Sequence, residues 1–200
     1  SGGAKREDIA NAVRWSGYFS DIDLGISWFR GTGLAPRLLP QADGTLKPDY
    51  SRITQAGFDI QYLWHDSALK IELVRRTGQY DRLGTAPTYR AGVFGIEHNI
   101  YGIMDGGHDI VLLGEYARDS RERLAHSGLQ NDLTVGGRWL WNDVKDTEVL
   151  GLLTRDLDNG AQTMTVSIDR RISEEVTFEA SARGTSRYAS DPNSTSLQKD

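Results

Sequence analysis

The chain of 200 residues contains no cysteine. A disulfide framework and a thiolate metal site are therefore both excluded. No apolar run approaches the length of a membrane-spanning helix. Cationic charge is not in excess, since the net charge is −5 and the aspartates and glutamates outnumber the lysines and arginines, 28 to 23. A protein that grips nucleic acid presents a basic surface, and none is expected here. Proline is scarce, at five, and methionine scarcer, at two, whereas glycine is plentiful, at 22. No signal peptide is visible at the start. The opening Ser-Gly-Gly-Ala reads as a tag scar or an internal cut, and residues 1–8 as a tag or loop remnant.

What the chain does have is a rhythm. Segments of alternating apolar and polar residues are joined by short and long connections in turn. Tyr18 to Asp21, His65 to Ser67, Asp105 to Gly107, Asn142 to Asp146 and Ser173 to Glu175 are short. Gly31 to Tyr50, with Pro36, Pro40 and Pro48, is long, as are Thr77 to Thr88 and Ser120 to Gln130. Leu157 to Ala161 is of middling length. A soluble meander has no reason to place its long loops at one end. A membrane β-barrel does, with short turns on the periplasmic side and longer loops outside.

Ten strands are predicted, over 9–17, 22–31, 52–64, 68–76, 89–102, 108–118, 131–141, 147–156, 162–172 and 175–184. Helical periodicity is weak, and only Ile9 to Val13 could begin as a helix. Each strand divides cleanly. Ala56, Phe58, Ile60, Tyr62 and Trp64 oppose Gln55, Gly57, Asp59, Gln61 and Leu63. Leu69, Ile71 and Leu73 oppose Lys70, Glu72 and Val74. The same holds for Ile110, Leu112 and Tyr116, for Leu133, Val135 and Trp139, for Val166 and Ile168, and for Val176 and Phe178. One face is an apolar band. The other mixes Arg14, Lys70, Arg76, Arg138, Arg171 and Arg183 with Asp23, Asp59, Glu72, Glu97, Glu115, Glu148, Asp156, Asp169 and Glu179.

Alternation alone fits a soluble barrel with the apolar face inside or a membrane barrel with it outside. Loop lengths favour the membrane. So do aromatics expected near strand ends, at Trp15, Tyr18, Trp28, Phe29, Trp64, Trp139 and Trp141. The mixed charges suit a lumen laced by ion pairs. Its candidate lining residues are Asp59, Lys70, Glu72, Glu97, Glu115, Arg138, Glu148, Asp169, Arg171, Glu179 and Arg183. Pairing is expected across strands, of Arg138 with Glu115 or Glu148, and of Arg171 or Arg183 with Asp169 or Glu179.

Several strings carry a resemblance. RWSGYFSDIDLGISWFRGTGLAPRLLP (Arg14 to Pro40), HDIVLLGEYARDSR (His108 to Arg121), QNDLTVGGRWLWNDVKDTEVLGLLTRDLDNG (Gln130 to Gly160) and SIDRRISEEVTFEASARG (Ser167 to Gly184) together resemble a family of uncharacterised Gram-negative outer-membrane β-barrel proteins. Val111 stands where that family usually carries glycine. The resemblance implies an all-β, antiparallel, up-and-down transmembrane barrel. It also implies further strands before Arg14 and a closing strand ending in an aromatic residue. The chain, ending at SLQKD, is thus expected to be a single-domain partial barrel of about ten strands, with 185–200 an extracellular loop. The implied setting is the Gram-negative outer membrane. Its partners there would be the lipid bilayer, lipopolysaccharide and the barrel-assembly machinery, with no nucleic acid.

No chemistry is expected. His65 and His108 fall at short turns, His98 on the apolar face and His126 in a long loop, and none shares a face with both a serine and an acid, as a Ser-His-acid hydrolase requires. DLDNG (Asp156 to Gly160) lacks the distal glutamate of a calcium loop and reads as a hairpin turn. Gly106-Gly107 and Gly136-Gly137 are no phosphate loop. Arg75-Arg76 and Arg170-Arg171 straddle strand faces. Gly57, Gly95 and Gly136 leave room inside a barrel or relieve strand curvature. No catalytic, metal or cofactor site follows. The expected role is porin-like passage of small polar solutes, or export of a polar polymer. A soluble carrier with an apolar pocket and a plugged structural barrel are the alternatives.

Overall fold

The computed structural model describes residues 9–186. Ten strands form one antiparallel sheet in which every neighbour in space is the next strand of the meander. They are β1 (Asn11–Phe19), β2 (Ile22–Thr32), β5 (Arg52–Trp64), β6 (Ser67–Thr77), β7 (Tyr89–Gly102), β8 (His108–Asp119), β9 (Asn131–Leu140), β10 (Glu148–Asp156), β11 (Gln162–Arg171) and β12 (Thr177–Ser186). A separate hairpin, β3 (Arg37–Pro40) with β4 (Leu46–Asp49), rises from the connection 33–51. The sheet is not closed. β1 and β12 are its edges, each paired on one side only among the described residues.

The strands follow the expected ones within about two residues. Three differences have local causes. The stretch 9–10 stays outside β1, and Tyr18 and Phe19 extend it, so the first turn shrinks to Ser20 and Asp21. The hairpin in 33–51 interrupts what alternation alone shows as a plain loop. It turns on Gly44, at φ 81, and on Asp43, whose carboxylate accepts from the Thr45 amide at 2.9 Å. Residues 185 and 186, expected in a loop, continue β12 by pairing with Thr163 and Gln162. Residues 1–8 and 187–200, read as a remnant and a loop, lie outside the described residues.

Two-residue turns at 20–21 and 65–66 need a left-handed first residue, supplied by Ser20 (φ 54) and His65 (φ 52). The DLDNG segment is a hairpin turn, as expected. Asp156 accepts from the amides of Asp158 and Asn159, and Gly160 takes φ 76.

Register fixes the faces. Trp15, Ile26, Phe58, Leu73 and Gly92 lie in one row across β1 to β7, and Ile96, Gly114, Val135, Leu153, Met164 and Gly184 in another across β7 to β12. Rows of this kind build an apolar face ten strands wide. No other described element packs on it. Leu73 is 53% exposed, Leu112 48%, Val135 46% and Phe178 50%. The buried apolar residues among those described are only Ile53, Tyr89, Ala117 and Ala125, all at or beyond the strand ends joined by long loops.

Candidate functional site

The opposite, polar face carries the candidate site. All eleven candidate lining residues, from Asp59 to Arg183, share that face by register. Every aspartate and glutamate in the ten strands lies on it too. None lies on the apolar face.

Its ion pairs are diagonal rather than directly opposed. Arg14 grips Asp59 with two hydrogen bonds, at 2.9 and 3.0 Å, although β2 runs between them. The bridge passes over Gly25, where a Cβ would lie 2.6 Å from the Arg14 guanidinium. Lys70 donates to Glu97 at 2.7 Å, and Arg138 stands 3.5 Å from Glu148. The last pair matches expectation. The pairing of Arg171 or Arg183 with Asp169 or Glu179 does not occur. Arg171 ends its strand and reaches Asp146 in the turn 141–147 instead. Glu148, Asp169 and Glu179 stand in one row across β10, β11 and β12.

At the long-loop end the face is roofed. Asp81 accepts from the Leu83 and Thr85 amides at 3.0 and 2.9 Å and from the Thr85 hydroxyl at 2.5 Å. The Thr85 hydroxyl, aided by these amides and by the charge of Arg121, holds the Asp81 carboxyl below the usual carboxylate range. Arg82 ties this loop to the next by donating from its backbone to Leu124 and from its side chain to Ala125, at 3.1 and 2.9 Å. Arg121 lies 3.5 Å over the Tyr89 ring and pairs with Asp119 at 2.6 Å, both side chains nearly buried. Arg37 of β3 stacks over Tyr80 at 4.1 Å. The three long loops thus form one linked cluster. Beneath it a cavity of about 570 Å³ runs from Arg14 and Asp59 to Tyr89 and Arg121, with Ser127 and Leu129 of the loop 120–130 in its wall.

The apolar face has its own polarity. At the short-turn end His108, Trp139 and Trp141 cluster with ring centroids 5.5 to 6.4 Å apart, and Trp64 meets His65 at 5.5 Å. The girdle expected from sequence is only partly there. Trp15 sits within the apolar band, Trp28 stands at the long-loop end in the row of Ala56, Arg75 and Arg90, and Phe29 is on the polar face. The long-loop end of the apolar face otherwise carries Arg30, Arg52, Arg75, Arg90, Arg118 and Arg155. The sequence analysis missed this row, although strand parity was enough to find it.

One pair with chemical potential was also missed. Ser67 Oγ and His98 Nδ1 are 2.9 Å apart on the apolar face, brought together by the β6–β7 register. With no carboxylate on that face, the pair lacks the acid that would orient the imidazole. Among the described residues no group of histidines and carboxylates could hold a metal ion.

Comparison with protein-family models, with curated proteins and with solved structures returns no match.

Proposed function

We propose that this chain is an outer-membrane β-barrel, or a section of one, of a Gram-negative envelope. Its apolar face meets lipid and its polar face lines a passage for small polar solutes or a polar polymer. One observation carries the reading. Across ten strands the apolar face is exposed and free of acids, while the other face holds all the strand acids and bridges three of them, Asp59, Glu97 and Glu148, with Arg14, Lys70 and Arg138. A solvated sheet would show neither an exposed apolar face this wide nor such complete separation. The strands, nine to fourteen residues long, suit tilted bilayer crossing. The alternation of short and long connections supports the same orientation. Lipopolysaccharide and the barrel-assembly machinery are the partners this setting supplies.

A soluble carrier would need the apolar face enclosed, which the exposure of Leu73, Leu112 and Val135 disfavours. The plugged alternative draws support from the loop 120–130 in the wall of the polar-face cavity. Recording from planar bilayers after refolding separates these readings. Stepwise conductance is the expected result. Insertion without conductance favours the plugged barrel, and failure to insert favours the carrier.

A further inference from the structure

We propose that the arginine row at the long-loop end of the apolar face is a binding collar for the phosphate headgroups of an anionic lipid leaflet. The inference rests on the outward orientation of that face proposed above, and it adds which residues meet the headgroups and which end they meet.

Arg75 and Arg90 are direct cross-strand partners, and Arg118 is the diagonal neighbour of Arg90 through Gly92. Like charges set opposite one another destabilise a sheet unless something anionic lies between them. Among the described residues no carboxylate of that face does. Arg30, Arg75, Arg90 and Arg155 are exposed and make no ion pair among the described residues, and the face offers no carboxylate. Arg118 has one exposed pair, with Glu122 at 3.4 Å. The cations are also unevenly placed. Among the described strand residues Arg170 is the one arginine or lysine at the short-turn end of that face, where aromatics gather instead. A guanidinium fork matches phosphate oxygens bidentately.

A second observation points to lipid rather than to free phosphate. Directly below Arg75, Arg90 and Arg118 lies a groove of about 650 Å³, walled by Phe58, Ile71, Leu73 and Phe94. Ala56 and Gly92 open it where the surrounding rows carry larger side chains. Headgroup cations above an apolar trough are what a lipid with an anionic head and an acyl tail would occupy.

The test is lipid selectivity at the protein boundary. The full chain is refolded into phosphatidylcholine bilayers carrying traces of spin-labelled phosphatidic acid or spin-labelled phosphatidylcholine. Electron paramagnetic resonance then measures the motionally restricted fraction of each. The expected result is a preference for phosphatidic acid of about fivefold or more, the effect of a single cation at an anionic surface. It should collapse towards parity in Arg75→Gln/Arg90→Gln/Arg155→Gln and in about 1 M salt, where screening is short-ranged. Arg170→Gln should leave it intact. Parity in the unsubstituted protein overturns the collar while leaving the outward face standing. So does a preference that survives both the triple variant and high salt. Should the triple variant not refold, the salt series on the unsubstituted protein decides alone. No restricted lipid of either kind overturns the outward-face reading, and the collar with it.

Discussion

Asp59 shows how a single position on the polar face is decided by its neighbours. It lies directly opposite Glu72 on β6 and diagonally across β2 from Arg14. The bridge to Arg14 is half-exposed, so its own contribution is at most about 1 kcal/mol. The opposed carboxylates act in the other direction. Arg14→Ala should therefore cost more stability than Asp59→Ala, because it leaves two carboxylates facing each other without a cation. Denaturant midpoints of the two variants measure the difference, and equal midpoints would show that Glu72 does not feel Asp59. Gly25→Val should behave like Arg14→Ala, since its side chain would occupy the path of the bridge. Sequence reading placed Asp59 and Glu72 on one face correctly. It could not find Arg14 as the partner, because two pairings, β1–β2 and β2–β5, must both be in register, and the second is set by the connection 33–51. Glu97 and Lys70 were likewise on the right face without being matched to each other.

Strand existence was the most legible part at the level of elements. Alternation marks a half-exposed strand directly, and turn residues such as Asp156, Asn159 and Gly160 bound it. The long connections were not legible beyond their length. The cluster they form depends on Arg82 reaching Leu124 and Ala125, and on Arg37 reaching Tyr80, contacts between segments that no periodicity relates. Asp81 shapes the loop 78–88 of that cluster through its bonds to Leu83 and Thr85, and its chemistry gives a pH dependence. Its carboxyl is held below the ordinary range by the Thr85 hydroxyl. A carboxyl with a lowered folded pKa stabilises the fold fully above its unfolded value of about 3.9. That contribution is lost as pH falls through the folded value. The roof should thus be unaffected near neutrality and loosen in acid below about pH 4. Hydrogen exchange at the Leu83 and Thr85 amides, corrected for intrinsic rates, is the measurement. Asp81→Ala should show the acid behaviour already at neutral pH. Amides equally protected in that variant would assign the roof to Arg82 and Arg121 alone.

The described sheet is organised by sorting charge between two faces, and for the proposed passage this sorting sets a sign. On the polar face Asp59, Glu97 and Glu148 are compensated by Arg14, Lys70 and Arg138. Glu72, Glu115, Asp169 and Glu179 have no ion pair among the described residues, whereas only Arg76 and Arg183 are left among the cations of that face. Of these two, Arg76 is already held by Gln55 and Gln79. The uncompensated charge is therefore negative. Glu72 and Glu115 share the wall of a second cavity, of about 300 Å³, with Lys70 and Glu97 on the face proposed to line a passage. Fixed carboxylates along a pore favour cations. A channel formed by this face should be weakly cation-selective, with the reversal potential in a salt gradient moving towards zero as both solutions are raised to about 1 M. Glu72→Gln/Glu115→Gln should bring the selectivity close to neutral without loss of conductance. Asp59→Asn should go further towards anions, because it removes a carboxylate and also releases Arg14. An anion-selective unsubstituted channel, or one indifferent to the Glu72 and Glu115 substitutions, would mean that ions do not travel along this face.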